Sequence, residues 1–475
     1  MAGKEAINPR ERLLRKVPPL PFVVKLAYGI GELGAAVPAS LAAFFILYFL
    51  TSVAGLSPAL VGRLLLLGRV WDAINDPLVG WLSDRTRSPL GRRFPWMLIG
   101  VIPLAICSAL IWSVPPIENQ PVRLLYYGIL FFFTYAAFTA VQLPYTALSA
   151  ELSEDYDERT GLIGIKSAFS IGGSILGLLM AQVIFSRIVD PKQQYRVLGY
   201  AAASLAIVTI GICVVGTYRR YQQLQGRRLS VRLQAAAPDF MPAIGSVFKN
   251  LAFRQVLGLY FCSWIGLQLT AAMLPYFVDA WMRLPETHFA QMALTVQGTA
   301  IATIPAWEYI TQRSDKRTVV LLGGAIALLA LAGLITVQPG QVLWMYMLGV
   351  VIGSGIATLY VAPFAMLPDV IDWDELQTGC RREGLYFSAV VFLQKLGLAV
   401  ALFVVGQLLD QSGFVIEAPA QPVPTLWTIR CLIGPVPAVL LLIGLWFAYQ
   451  YPLTRERHQQ ILNALASDRM RRTDC

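Results

Sequence analysis

Residues 69–81 read RVWDAINDPLVGW and place two carboxylates, Asp72 and Asp76, inside a long apolar neighbourhood. The apolar stretch 64–67 precedes them, and the apolar run 94–112 follows after a short basic turn. Asn75 stands just before the second acid and Pro77 directly after it. Charged groups are costly in apolar surroundings, so this segment bears on both the fold of the chain and its chemistry.

The composition indicates a membrane protein. The 475 residues are 56% hydrophobic and 14% charged, with a mean hydropathy of +0.59, whereas soluble domains are about 25% charged. Apolar runs of about 20 residues match the thickness of a bilayer. We predict an all-α polytopic protein with about twelve transmembrane helices in two pseudo-symmetric six-helix bundles. The predicted spans are centred near residues 38, 70, 104, 136, 175, 207, 267, 300, 327, 354, 397 and 438.

The net charge of +10 does not predict a nucleic-acid partner, because the basic residues gather in alternate loops. By the positive-inside rule, both termini are expected in the cytoplasm. The polar, basic N-terminus shows no cleavable signal peptide. The six cysteines have no metal-site spacing, which favours packing roles. The two histidines do not suggest a catalytic or metal centre, and no cofactor is expected.

A basic, polar loop at 218–250 is predicted to separate two halves. The expected segments are a cytoplasmic N-terminal segment 1–24, a six-helix bundle 25–217 with the cation site, the central loop 218–250, a second bundle 251–452 and a cytoplasmic tail 453–475. A shift of 228 residues aligns Pro77 with Pro305, while Asp76 aligns with Ile304 and Asp72 with Ala300. The proline is repeated and the acids are not, so the acids point to function rather than architecture.

The acids and the amide have a spacing that suits a cation. Asp72, Asn75 and Asp76 stand at i, i+3 and i+4, on one face of a helix. Pro77 frees the carbonyl of Ala73 from its helical partner. Oxygen ligands bind small hard cations, and carboxylates in a low dielectric also hold protons. The alternative is that both acids only pair with Arg69 or another basic residue.

Other charged residues at membrane depth extend the hypothesis. Lys395 lies mid-span and would neutralise the acids when no cation is bound, so that lysine and cation compete for the same oxygens. Lys166 and Glu32 lie nearer span ends, where snorkelling is a real alternative. Asp84, Arg85, Arg92 and Arg93 form a turn of mixed charge that we interpret as a cytoplasmic latch, with topology retention as the other explanation.

These motifs resemble a known family. The loop Gly80–Arg93 is similar to the signature of the major facilitator superfamily, and the segment 70–80 resembles the glycoside–pentoside–hexuronide:cation symporters. Further matching motifs are 25–31, 143–145 and 372–384. The resemblance implies cation-coupled symport by alternating access. It assigns the cation site to Asp72, Asn75, Asp76 and Thr139, with an alkali cation as the only metal, and coupling roles to Lys395 and Arg159. Arg381 and Arg382 join the predicted cytoplasmic gate.

The substrate positions depart from the family pattern. The melibiose carrier has a lysine and an aspartate where this chain has Ala35 and Ala36, and an arginine at Lys166. Galactoside hydroxyls need several polar partners, so melibiose itself is not expected. The resemblance assigns substrate binding to Phe138, Gln142, Thr146, Lys166 and Glu32.

Several alternatives stay open at this point. A sugar or glycoside is the first expectation, and a lysophospholipid-like amphiphile is the second, because animal lysophosphatidylcholine symporters share the cation span. Another small solute is a third. The coupling ion is H⁺, Na⁺ or Li⁺. A membrane enzyme, a channel and a non-transporting receptor or scaffold are rival classes. We predict a monomer in the bacterial inner membrane.

Overall fold

The computed structural model describes residues 19–153, 155–228, 247–379, 382–416, 418 and 420–473. These residues form long helices, and no strand occurs among them. We number the helices in chain order. They are α1 (Phe22–Tyr48), α2 (Pro58–Arg85), α3 (Phe94–Ile111), α4 (Gln120–Leu152), α5 (Tyr156–Arg187), α6 (Pro191–Arg228), α7 (Leu251–Tyr276), α8 (Thr287–Arg313), α9 (Lys316–Leu334), α10 (Val342–Thr378), α11 (Glu383–Gln411), α12 (Val423–Ile433), α13 (Pro435–Tyr449) and α14 (Arg455–Thr473).

The predicted all-α membrane architecture is confirmed. Each of the twelve predicted span centres falls inside a helix, with α12 and α13 counted as one span broken at Gly434. Within the described residues, ten helices are long and apolar enough to cross a membrane. Helices α2 and α8, with 28 and 27 residues, are comparable in length to these ten helices but more polar. They are the two helices that the internal repeat pairs.

The repeat extends beyond the window that revealed it. A shift of 228 residues carries Pro58–Arg85 onto 286–313, one residue longer than α8. The same shift carries Phe49–Val53, a π-helical turn at the end of α1, onto Phe277–Trp281, a π-helical turn at the end of α7. π-turns are rare in proteins and often mark functional sites. Both halves therefore contain the same interruption at the same place.

Backbone packing groups the described chain into two compact units. The first contains the residues up to Leu41, then Trp71–Gly177 and the part of α6 from Gln193. The second contains Ala42–Val70, Leu178–Lys192 and the described residues beyond 246. Division of the chain into halves at 218–250 stays a prediction, since residues 229–246 lie outside the described range.

Close packing of α1 on α5 sets up the polar centre of the first unit. A Cβ on Gly173 would lie 2.7 Å from Cβ of Ala36, and one on Gly177 would lie 2.6 Å from Oγ of Ser40. Small residues spaced four apart let two membrane helices approach closely. This approach brings Glu32 of α1 alongside α5. Below it, a cluster around Tyr28, Phe94 and Tyr145 forms the buried core.

Candidate cation and substrate sites

The predicted cation residues lie together in the first unit. The hydroxyl oxygen of Thr139 on α4 is 3.3 Å from Oδ1 of Asp72 and 3.0 Å from Oδ1 of Asp76. Asp72 is 2% exposed, Asn75 3% and Thr139 2%. Two carboxylates and a hydroxyl thus converge here, with Asp72 buried and Asp76 half-buried. One hydroxyl proton serves one carboxylate at a time, and the carboxylate oxygens gathered here are of the type that binds small cations.

Neighbouring contacts fix the orientation of α2 against α4. The indole N–H of Trp71 donates to the carbonyl of Phe132 at 3.1 Å, and the two rings stack with centroids 4.1 Å apart. The amide nitrogen of Asn75 donates to the carbonyl of Tyr135 at 3.4 Å. The donating nitrogen is therefore engaged with α4, and the amide oxygen is the atom of Asn75 that could serve a cation.

The second half builds the same helix pair with different chemistry. On α8, Ala300 and Ile304 stand at the repeat positions of the two acids. A shift of 219 residues aligns Pro144 of α4 with Pro363 of α10, and Thr139 with Thr358. The threonine is thus kept and the carboxylates are absent. Within the part of the chain that the structure describes, the Thr358 hydroxyl donates to the carbonyl of Gly355 in its own helix, at 2.9 Å, and to no other group.

Four of the predicted substrate residues form a polar cluster in the first unit. The ammonium of Lys166 donates to Oγ1 of Thr146 at 3.0 Å and lies 3.8 Å from the carboxylate of Glu32. The amide nitrogen of Gln142 is 3.5 Å from the same carboxylate. Glu32 is 6% exposed. Lys166 and Glu32 form an ion pair within the protein, so snorkelling to a membrane surface is not needed to explain them.

Aromatic rings and an open acceptor complete this cluster. Tyr145 stacks on Tyr28 with centroids 4.8 Å apart, and the Lys166 ammonium lies 5.5 Å from the Tyr145 ring. Oε1 of Gln142 is buried and has no hydrogen-bond partner in the described structure. Such an atom costs free energy unless a donor reaches it. Phe138 differs from the other four, since it packs on the apolar core.

Lys395 lies near the middle of α11 and is half-buried. It belongs to the second unit, whereas the acids belong to the first. Its proposed exchange with a cation stays a prediction.

The turn between α2 and α3 forms a charge network centred on Glu151. Its Oε1 accepts from Nη2 of Arg92 at 2.7 Å and from Nε of Arg93 at 3.0 Å. Arg93 also bonds to Asp84 at 2.6 Å. Arg85 lies outside this network and stacks on Trp81, with its guanidinium 4.0 Å from the ring. The sequence analysis missed Glu151; an acid at the end of α4, opposite a basic turn, was the available signal.

The second unit has a corresponding pair, and it too has an acid that the sequence analysis did not single out. Arg382 donates to both carboxylate oxygens of Asp374, at 2.6 and 2.9 Å. Such bidentate pairs are among the strongest polar contacts. Arg381 lies outside the described residues. Nearby, His458 of α14 lies 3.2 Å from Asp372, so the tail helix contacts α10.

Arg159, near the start of α5, connects that helix to the end of α4. Its Nε donates to the carbonyl of Ser153 at 2.8 Å, just past the end of α4. Beside it, Glu158 accepts hydrogen bonds from the Ser153 hydroxyl and from the backbone N–H of Leu20. Burial opposes ionisation of Glu158, but these bonds outweigh it and hold the pKa of the carboxyl below its ordinary 4.5. A coupling role for Arg159 stays a prediction.

The comparisons with known proteins agree with the fold. The family model described as MFS/sugar transport protein matches residues 27–455. An uncharacterised symporter of Synechocystis is 38% identical, covering 94% of this chain and 97% of its own length. The sodium-dependent lysophosphatidylcholine symporter 1 of Gallus gallus is 26% identical, covering 96% and 91%. A solved D-xylose-proton symporter superposes with a TM-score of 0.63 at 14% identity, covering 92% and 98%.

Proposed function

Because the chain belongs to the MFS/sugar transport family, and is an integral membrane transporter of the symporter type rather than an enzyme, we propose that it couples the movement of a monovalent cation to that of a sugar or glycoside. The observation that carries the coupling is the position of Thr139 between Asp72 and Asp76. Oxygen-only ligand sets of this kind suit Na⁺ or Li⁺, and the same carboxylates can hold a proton.

The coupling works by competition for charge. An empty site leaves two carboxylates in the membrane, which is costly unless they are protonated or paired. Lys395 supplies the opposing charge in this proposal, and an entering cation releases it. The two bundles then rock around the loaded site by alternating access. Asp84, Arg92 and Arg93 with Glu151, and Arg382 with Asp374, hold the cytoplasmic ends in one state. Both termini face the cytoplasm.

The polar cluster supports a hydroxylated substrate. Glu32, Gln142, Thr146 and Lys166 together offer donors and acceptors within one small region. The unpartnered Oε1 of Gln142 suits a hydroxyl donor. The tyrosine pair offers a flat apolar face against which the C–H side of a sugar ring can pack. Ala35 and Ala36 remove polar groups from this region, which favours a glycoside with an apolar aglycone over a disaccharide.

A lysophospholipid-like amphiphile is the second candidate. Relatives named sodium-dependent lysophosphatidylcholine symporters match nearly the whole chain at 24–26% identity. A zwitterionic head group carries one positive and one negative charge. Its positive group could pair with Glu32 and its negative group with Lys166. Binding would separate that pair, at 3.8 Å already longer than a tight ion pair.

Thermal unfolding of the purified protein tests both candidates. Ligands that bind the folded state raise the melting temperature by mass action. We would cross Na⁺, Li⁺ and acid pH with a panel of sugars, glycosides and lysophospholipids, using Asp76→Asn as the test variant. Asp190→Asn, in the exposed α5–α6 loop, is the matched control for loss of one carboxylate.

A cation-dependent shift with a glycoside, lost in Asp76→Asn and kept in Asp190→Asn, supports the first candidate. A rise in melting temperature with lysophospholipids alone supports the second candidate. If the cation still stabilises Asp76→Asn, the coupling site does not lie on α2.

A further inference from the structure

A cavity of about 290 Å³ lies wholly within the second unit, between α8, α9 and α10. It occupies the place that corresponds to the cation site of the first half, since Ile304 and Thr358 line it and stand at the positions of Asp76 and Thr139. The cavity thus lies where the first half has polar contacts. The lining residues that bear on its chemistry are Ile304, Trp307, Glu308, Lys316, Ala357 and Ala362.

The charge of the cavity is set by one carboxylate. The Lys316 ammonium donates to the two carboxylate oxygens of Asp369 at 2.8 and 2.7 Å, and to the carbonyl of Ala365 at 2.8 Å. Its three donors are therefore engaged and its charge is balanced. Glu308 also lines the cavity, at an exposed position on its rim, and among the described residues no ion pair joins it. The walls thus carry one uncompensated negative charge.

Trp307, the residue before Glu308 on α8, also lines the cavity. Its indole N–H donates to the carbonyl of Ser354 on α10 at 2.7 Å, which holds the ring at the cavity. Tryptophan is the ring that attracts cations most strongly, and quaternary ammonium groups bind where aromatic faces and a carboxylate meet. A volume of about 290 Å³ is at the small end of ligand pockets. The cavity chemistry therefore combines apolar walls, an aromatic ring and a negative charge.

The polar and apolar parts of the cavity are arranged along the axis of α8. Glu308 is five residues from the end of the helix at Arg313, about 7.5 Å along the axis. Arg313 stacks on Tyr309 at 3.8 Å, a pairing typical of the membrane–water boundary. Ile304 and Ala357 lie further from that end. A ligand with its charge at Glu308 would place its apolar body deeper in the bilayer.

We propose that the α8–α10 cavity binds a small amphiphilic cation, a quaternary or protonated amine. The ammonium lies between Glu308 and Trp307, and the apolar body packs against Ile304, Ala357 and Ala362. The site shares no residue with the polar cluster around Glu32 and Lys166, and it goes beyond the proposed symport.

A matched pair of probes tests the charge requirement. Benzyltrimethylammonium and neopentylbenzene have nearly the same shape and differ in charge. Binding to the full-length purified protein is measured by thermal shift and by tryptophan fluorescence, without Na⁺ or transported substrate. We expect the cation to bind more tightly than the neutral probe. Glu308→Gln lowers the affinity for the cation roughly fivefold to tenfold, the effect of about 1 kcal/mol of charge attraction, and leaves the neutral probe unchanged.

Two further variants localise the site. Ala362→Leu fills the cavity and weakens binding of both probes. Glu118→Gln, at an exposed carboxylate before α4, leaves both affinities as they are. Asp76→Asn keeps cation-probe binding, which separates this proposal from the cation-coupling proposal. Equal affinity of the two probes overturns the inference, and so does cation binding that survives Ala362→Leu. If Glu308→Gln does not fold, Trp307→Phe takes its place and must weaken the cation probe selectively.

Discussion

Oγ1 of Thr139 lies 3.0 Å from Oδ1 of Asp76, joining α4 to the carboxylate that follows Asn75 on α2. The same oxygen lies 3.3 Å from Asp72. In the proposed cation site, this hydroxyl would have to turn its proton away from the carboxylate in order to become a ligand. The contact would then be a structural support in one state and a ligand in the other.

Removal of this hydroxyl should weaken cation binding while leaving the fold intact. Valine keeps the shape of threonine and loses the oxygen, so Thr139→Val should lower cation affinity by about tenfold or more. Thr139→Ser should retain most of it. Isothermal titration with Na⁺ and Li⁺ provides the measurement.

Thr358→Val is the matched control, because Thr358 is the repeat counterpart without acids beside it. Equal losses in the two valine variants would show that the effect comes from packing, and would contradict a ligand role for Thr139.

Asp76→Asn should abolish cation-stimulated substrate binding and leave a folded protein. The amide keeps the size of the carboxylate and removes one of the two charges, so Asp72 alone is left to attract a cation and the need for a counter-charge falls. Substrate binding measured with and without Na⁺ should give the same affinity in the variant. Cation stimulation that persists at wild-type strength would contradict the assignment of Asp76 to the cation site.

Glu151→Gln should destabilise the turn between α2 and α3. The Glu151 side chain is 6% exposed and that of Arg93 is 10%, so Arg93 would lose its buried partner and keep the more exposed Asp84. Breaking a buried pair costs about 3 kcal/mol or more, and the remaining Asp84 contact will reduce that cost. The exposed part of Arg92, 41% of its side chain, will recover some solvation. The melting temperature reports the loosening.

Arg85→Gln is the control for that prediction, because Arg85 lies on the same turn but stacks on Trp81 outside the network. If both variants lower the melting temperature equally, general loss of charge explains the result and the network does not.

Glu158 should make the α4–α5 junction sensitive to acid. Its pKa lies below 4.5 in the folded protein, so around pH 4.5 the unfolded state binds more protons and stability rises with pH. The contribution is fully present above the ordinary pKa and is lost as the pH falls through the lower folded value. Thermal unfolding from neutral to acid pH should show a decline that is smaller in Glu158→Gln. If the melting temperature of the variant falls with acid pH as steeply as that of the wild type, other carboxylates cause the decline.

The sequence predicted much of the fold because the bilayer imposes helix length directly. Apolar runs located every span centre, and the spacing of Asp72, Asn75 and Asp76 predicted one shared face, which the contacts with Thr139 and Tyr135 confirm. The partners that functional residues have on other helices were harder to predict from the sequence. Glu151 is one acid among many at a span end, and only the packing of α4 beside the α2–α3 turn makes it the centre of a network. Thr139 entered through family resemblance alone.

The break at Gly434 had a sequence signal that was not used, because Pro435 follows it directly. The two π-turns have no comparable signature in their local sequences. The cavity between α8 and α10 could not be predicted either, because empty space results from the absence of side chains that another packing might have filled. The repeat identified Ala300 and Ile304 at the positions of the acids, but not the space between the helices around them.

The one-sided placement of the acids also determines where membrane voltage can act. A full elementary charge carried across the membrane corresponds to about 2.3 kcal/mol per 100 mV. Helix α2 bears carboxylates at the positions where α8 has Ala300 and Ile304. Under the proposed coupling, a cation held by those carboxylates would respond to the membrane voltage on α2. The first half would then sense the ion gradient, and the second would provide the mechanical counterpart against which that force is exerted.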